Sequence, residues 1–349
     1  MTAPPLPLSV LDLSPVPSGA TSAQALRNTL DLAVAAEGWG YARYWLAEHH
    51  NTPGLASSAP EVMIGQVLAA TSRIRVGSGG VMLPNHAPLR VAETFRVLEA
   101  LYPGRIDLGI GRAPGTDGVT AAALRRTPAG IAAEDFPAQM GELLAYAGDG
   151  FPQGHPLRSV SAQPADVPMP PVWMLGSSEY GARAAAMLGV GLAFARYLNP
   201  RNAAEIMRAY RDEFRPSPEL AQPRAILAVS VICAETTARA EHLAASGALS
   251  LIRMRTGRPA PLPTPEEALA HPYSEGEADQ VRRYMRAQVL GDPETVAARL
   301  RELAADCRAD ELMLMTTVHD HDERRASYRR VAEALGPAPA AARAGLSRG

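Results

Sequence analysis

RYWLAEHHNTPG, residues 43–54, runs a short apolar and aromatic stretch into two adjacent histidines and a proline-glycine turn. Such a run, bounded by turn residues, reads as a strand buried on both faces. The unit recurs, and the recurrence decides the fold. Upstream, LSVLDL (8–13) precedes a helical pattern capped by Thr21 or Ser22, which continues to about Glu37 with Leu26, Leu30 and Ala33 on one face. ARYWLA (42–47) leads to a helix over 59–71, IRVGSG (74–79) to one over 89–101, and RIDLGIG (105–111) to one near 132–147. After a link holding Pro164, Pro168, Pro170 and Pro171 come VWMLG (172–176) with a helix near 180–188, and LAFA (192–195) with one near 201–214. AILAVSVICA (225–234) with a helix near 237–245, and ELMLMTT (311–317) with a helix ending near Leu335, complete the series.

Eight strand-like runs alternating with helices predict an α/β fold, a closed (β/α)8 TIM barrel formed by one domain over 1–349. A doubly wound sheet with a second domain is the competing arrangement. Two stretches break the rhythm, about 113–130 and 251–290, and these are expected to be lid-like insertions at the C-terminal face of the strands.

Composition limits the partners. The chain has 349 residues, 47% hydrophobic and 20% charged, which suits a large soluble core. Its 34 basic residues, all arginine, are nearly cancelled by 36 acids, so no strong field draws nucleic acid or an anionic membrane, and a small-molecule partner is expected. Cys233 in an apolar strand-like run and Cys307 in a helical one predict buried thiols, not a disulfide framework or a metal site. No secretory signal is read at Met1–Leu8, and a cytoplasmic location is expected.

In a barrel, chemistry belongs to the strand ends where the βα loops begin. His49 and His50 follow the second strand, so one is expected to face the mouth while its neighbour turns to the wall. No third ligand at a suitable spacing supports a metal site. HDH (319–321) reads as a helix-starting loop. GIGRAPG (109–115) follows a strand, but its glycines are spaced GxGxxxG and Pro114 stands where a helix should already run, which argues against a dinucleotide fingerprint. GSSEYG (176–181) follows a strand and opens a helix, offering Gly176, Ser177 and Ser178 either as an ordinary helix cap or as an anion-binding turn. Arg112, beyond the fourth strand, is either a surface salt-bridge partner or the cation for that anion. Gly79 and Gly80 permit either a tight turn or close approach to a flat ring.

AEGWGYARYWLAEHH, RIRVGSGGVMLPNHAPLRVAE, YPGRIDLGIGRAPG, PVWMLGSS and the late DELML together resemble the luciferase-like flavin-dependent monooxygenases over roughly residues 8–335, closest to the single-chain bacterial oxidoreductases of that superfamily. The resemblance implies a barrel that binds reduced FMN at the strand C-termini and uses O2 to oxygenate a small organic substrate through a flavin C4a-hydroperoxide. It also implies a separate flavin reductase and a homodimer built on the second and third helices. His49 matches the family's acid/base histidine. Gly79 and Gly80 match a non-prolyl cis peptide beneath the flavin ring, Arg112 the phosphate arginine, and Ser177 and Ser178 the phosphate turn. Two positions depart from the luciferases: Gly111 replaces their reactive cysteine, and their AHP is shifted to HAP at His86–Pro88. A deazaflavin-dependent oxidoreductase and a flavin-binding protein without turnover are the alternatives.

Overall fold

The structure, a computed structural model, describes residues 6–125, 135–148 and 150–336. Its strands are β1 (Leu8–Asp12), β2 (Arg43–Leu46), β3 (Arg75–Ser78), β4 (Val81–Met82), β5 (Ile106–Gly111), β6 (Val172–Gly176), β7 (Gly191–Ala195), β8 (Ala225–Cys233), β9 (Val289–Gly291) and β10 (Glu311–Met315). Eight of them, β1-β2-β3-β5-β6-β7-β8-β10, pair in parallel, and β10 bonds to both β8 and β1, which closes the barrel. The short β4 and β9 add to the upper ends of β5 and β8.

All eight strand runs expected from the sequence are present. The helices are α1 (Ser22–Trp39), α2 (Pro60–Ala70), α3 (Pro88–Leu101), α4 (Gly118–Arg125), α5 (Phe136–Ala147), α6 (Glu179–Leu188), α7 (Ala203–Asp212), α8 (Thr237–Arg255), α9 (Pro265–Leu269), α10 (Glu275–Ala287), α11 (Pro293–Asp306) and α12 (His321–Leu335). Thr21, not Ser22, caps α1, accepting from the Gln24 amide at 3.2 Å. The stretch 251–290 is largely helical: α8 runs on to Arg255, and capping boxes at Thr264 and Ser274 start α9 and α10. In 113–130, Gly118–Arg125 forms α4 and residues 126–130 lie outside the described residues. Among the described residues, no helix is long and apolar enough to cross a membrane.

Strand alternation builds two apolar layers. Leu11, Trp45, Ala47, Trp173, Ala193, Ile226, Ala228 and Met313 fill the barrel. The opposite faces, among them Val10, Tyr44, Val76, Leu108 and Leu314, pack under the helices. The lower end of the barrel is ionic. Arg43 bonds Asp107 at 2.7 Å and Glu311 at 3.0 Å, while Arg75 reaches Asp107 at 2.6 Å and the Trp45 indole donates to it at 3.1 Å. Burial acts to raise the Asp107 pKa, but the two guanidinium groups outweigh it and hold the carboxyl at about 2. Charge and aromatic bulk therefore plug the bottom, and the strand ends that barrel logic assigns to chemistry lie at the top.

Candidate active site

Arg112 follows β5, and Gly176 is the last residue of the neighbouring β6, so strand pairing alone brings the two expected anion-binding elements to one edge of the mouth. The Arg112 guanidinium lies over the ring of Tyr180, 4.7 Å from its centroid. Among the described residues no carboxylate pairs with Arg112; the nearby Glu179 is engaged by Arg183 at 2.8 Å. Ser178 caps α6, its hydroxyl accepting from the Gly181 amide, and the Ser177 carbonyl is tied to Asn199 at 2.9 Å. The result is a carboxylate-free arginine beside a helix N-terminus, where free backbone N–H groups and the helix dipole favour an anion.

Just beyond β3, the peptide between Gly79 and Gly80 is cis. A Cβ on Gly80 would lie 2.6 Å from the Gly109 carbonyl oxygen, and one on Gly79 would strike Leu11 and lie 3.1 Å from the Trp45 Cβ. A side chain at Gly80 would strike backbone and one at Gly79 would have to displace Leu11, so bare backbone packs directly on the filling of the barrel as a ledge at its top.

The two histidines separate as extended backbone requires. His49 keeps the parity of the inward residues Arg43, Trp45 and Ala47, and its backbone amide is fixed to the Ser57 carbonyl at 2.8 Å. Its Nδ1 is buried and has no hydrogen-bond partner among the described residues. Burial lowers the His49 pKa, and the proximity of His50 adds to this against the opposing charge of Glu48, so the imidazole is neutral at neutral pH. His50 turns the other way and bonds Glu48 at 2.8 Å.

Glu48 was not among the residues singled out from the sequence, yet it organises this edge. Only 1% exposed, it accepts from the Met82 amide at 2.9 Å, the Asn85 amide group at 3.1 Å, and the rings of His50 and His86. Burial acts to raise its pKa; the contacts with His86, then those from His50 and Met82, prevail and lower it. His86 itself is raised, because the Glu48 carboxylate outweighs its desolvation. The shifted HAP histidine is thus a partner of Glu48, fastening the segment after the glycine ledge to the histidine loop. Tyr180 was also missed: its contact with Arg112 joins the first turn of α6 to the loop after β5, and nothing in the local pattern at either one signals it.

The remaining candidates are engaged in other contacts. Asp320 caps α12, His321 pairs with Asp31 at 2.8 Å, and His319 binds Ser18. Cys233 and Cys307 are free and buried. Among the described residues no group of three or more His, Cys, Asp or Glu side chains is arranged to hold a metal.

Comparison with known proteins agrees with this architecture. The sequence profile of the luciferase-like monooxygenase family matches residues 6–311. The chain is 40% identical over 328 residues to a luciferase-like monooxygenase of Escherichia coli (strain K12), covering 94% of this chain and 96% of that one. It is 33% identical over 334 residues to the N-acetyl-S-alkylcysteine monooxygenase of Bacillus subtilis (strain 168), covering 94% and 98%. The crystal structure of apo-MsnO8 superposes with a TM-score of 0.85 at 38% identity, covering 95% of this chain and 99% of that one. More distant structures sharing the fold include one in complex with FMN and one with an F420 adduct. The chain belongs to the luciferase-like monooxygenase family.

Proposed function

We propose that this protein is a flavin-dependent monooxygenase that takes reduced FMN as cosubstrate and uses O2 to oxygenate a small organic molecule. The observation that carries the reading is Arg112, free of carboxylate partners, resting on Tyr180 beside the N-terminus of α6. A guanidinium and a helix N-terminus together suit a terminal phosphate. The Gly79–Gly80 ledge suits a planar ring, since only backbone lies beneath it. Once bound, reduced FMN supplies the electrons and the O2 chemistry. The chain's own tasks are to hold the phosphate with Arg112 and the Ser177–Ser178 turn, to support the ring on the ledge, and to keep water out with the apolar filling below. A neutral His49 imidazole accepts a proton at its free nitrogen and returns it in the following step.

Two further readings go with this one. The apolar residues Val62 on α2 and Val97 and Leu101 on α3 are 60%, 47% and 67% exposed, and we assign them to a symmetric homodimer interface. A separate reductase is assigned as the source of reduced flavin. The deciding experiment adds FMN, the deazaflavin coenzyme and riboflavin separately to the protein, measures binding, and follows O2 uptake with each reduced form. Tight FMN binding with O2 consumption supports the proposal; preference for the deazaflavin without O2 consumption replaces it with a dehydrogenase.

A further inference from the structure

Across the mouth from the glycine ledge lies a second group whose hydrogen bonding is incomplete. β8 stands four places around the closed ring from β3, so the two strands face each other. Ile226 and Ala228 of β8 point into the barrel, and Ser230 continues that face in register with Met315 of β10. β9 runs parallel to the upper part of β8 with Val231 against Val289, which makes Gln288 the neighbour of Ser230 on the same inward face. The Ser230 hydroxyl donates to Gln288 Oε1 at 2.9 Å. The other amide atom, Nε2, is buried and has no hydrogen-bond partner among the described residues.

The surroundings hold this amide still. Arg196, buried just beyond β7, donates to the Ala287 carbonyl at 3.0 Å and pins the end of α10 over the mouth. One turn earlier, Tyr284 is seated against Gly247 of α8, where even a methyl side chain would strike its hydroxyl. A buried N–H without an acceptor is unfavourable in the ligand-free protein, and a rigidly placed donor is how binding sites fix the orientation of a ligand.

We propose that Gln288 Nε2 is the anchor for the organic substrate, donating to a carbonyl or carboxylate oxygen and so holding the substrate on the side of the mouth opposite the flavin ledge. This rests on the flavin reading above. It narrows the substrate to molecules that carry such an oxygen.

The test uses the full-length protein loaded with oxidised FMN, so that no turnover occurs, and three probes of similar shape: cyclopentanone, cyclopentanecarboxylate and cyclopentane. Binding is followed by the side-chain amide resonances of Gln288, identified by their loss in Gln288→Leu, and by dissociation constants. Cyclopentanone or the carboxylate is expected to shift the Gln288 resonances saturably while cyclopentane does not. Gln288→Leu is expected to weaken the oxygen-bearing probe at least tenfold, with cyclopentane and FMN affinities within twofold of wild type. Gln288→Glu, close in shape, is expected to discriminate against the carboxylate more strongly than against the ketone. Absence of any shift with both oxygen-bearing probes, or equal binding by Gln288→Leu, overturns the proposal. Failure of reduced FMN itself to bind, measured without O2, is a separate outcome that overturns the flavin reading.

Discussion

The Arg112 guanidinium rests on the face of Tyr180, 4.7 Å from the ring centroid; Arg112 stands in the loop after β5, and Tyr180 in the first turn of α6, which follows the neighbouring β6. The contact orients the fork of Arg112 without neutralising it, which an aspartate or glutamate would do. A charge-assisted contact is worth roughly 1.5–3 kcal/mol, so Arg112→Ala is expected to weaken FMN by about 10- to 150-fold and leave riboflavin, which has no phosphate, nearly unchanged. An exposed cation–π contact is worth about 0.5–1 kcal/mol, so Tyr180→Leu is expected to cost about two- to fivefold for FMN alone, and Tyr180→Phe almost nothing. Fluorescence titration with both ligands measures these effects. Equal losses for FMN and riboflavin would contradict the phosphate assignment.

The Glu48 cluster predicts a pH-dependent stability. His86 is raised above its ordinary 6.5 by the Glu48 carboxylate, so its contribution is complete below pH 6.5 and is lost as pH rises through the raised value. Glu48 is lowered from 4.5, so its contribution is present above pH 4.5 and is lost as pH falls through the lowered value. The contact is therefore strongest between those limits. His86→Ala is expected to cost more stability at pH 6 than at pH 9, as read from urea midpoints. The same cost at both values would mean that the pair makes no use of the imidazolium.

At the bottom of the barrel, Asp107 serves two arginines and an indole. Removing it leaves Arg43 with Glu311 alone and Arg75 with backbone carbonyls but no carboxylate, and breaking such a buried pair costs about 3–5 kcal/mol. Asp107→Ala is expected to lose stability on that scale in equilibrium unfolding. In the wild type this support is complete above pH 3.8 and fades as pH falls through about 2. A loss comparable to that of an exposed carboxylate would show that the network contributes little.

The barrel was legible because its eight principal strands are mostly buried on both faces and announce themselves as apolar runs between turns. β4 and β9, with two and three residues, are too short to carry a pattern. α11 was read only as a helical run around Cys307, without its bounds, although Asp292 and Pro293 mark its start, because β9 before it gave no strand signal and the stretch up to 290 was read as an insertion. Charges inside the barrel, such as Arg43 and Asp107, are invisible to a hydropathy reading, since their burial depends on partners from other strands. The same holds at the mouth. His49, Arg112 and the glycine pair stand at strand ends and were found there, whereas Glu48, Tyr180 and Gln288 acquire their positions only through contacts between loops and elements distant in sequence.

The proposed dimer rests on the exposed apolar residues Val62, Val97 and Leu101 of α2 and α3. A charge placed within such an interface would have to be desolvated on association, so Val62→Glu combined with Leu101→Glu is expected to yield monomers at micromolar concentration. Light scattering on wild type and variant distinguishes the cases. A wild-type monomer would remove this assignment.

The two adjacent histidines should separate in function. His49 carries a buried, unpartnered nitrogen and a lowered pKa, so it is neutral at neutral pH and ready to accept a proton. His50 is bonded to Glu48 and belongs to the framework that fixes the ledge segment. Positioned proton transfer contributes roughly 10²- to 10⁴-fold to a step and little to cofactor affinity. His49→Ala is therefore expected to keep FMN affinity within a few-fold while losing O2-dependent turnover on that scale, whereas His50→Ala acts mainly through stability. Because His49 is lowered, the limb of the wild-type pH–rate profile that belongs to it lies below pH 6.5 and falls as the solution becomes more acidic. Before a substrate is known, the measurable quantity is the rate at which bound reduced FMN is reoxidised by O2 with release of H2O2, since that release also requires proton transfer. If His49→Ala leaves this rate and its pH dependence as they are in wild type, both histidines are scaffold, and the proton must be handled elsewhere in the mouth.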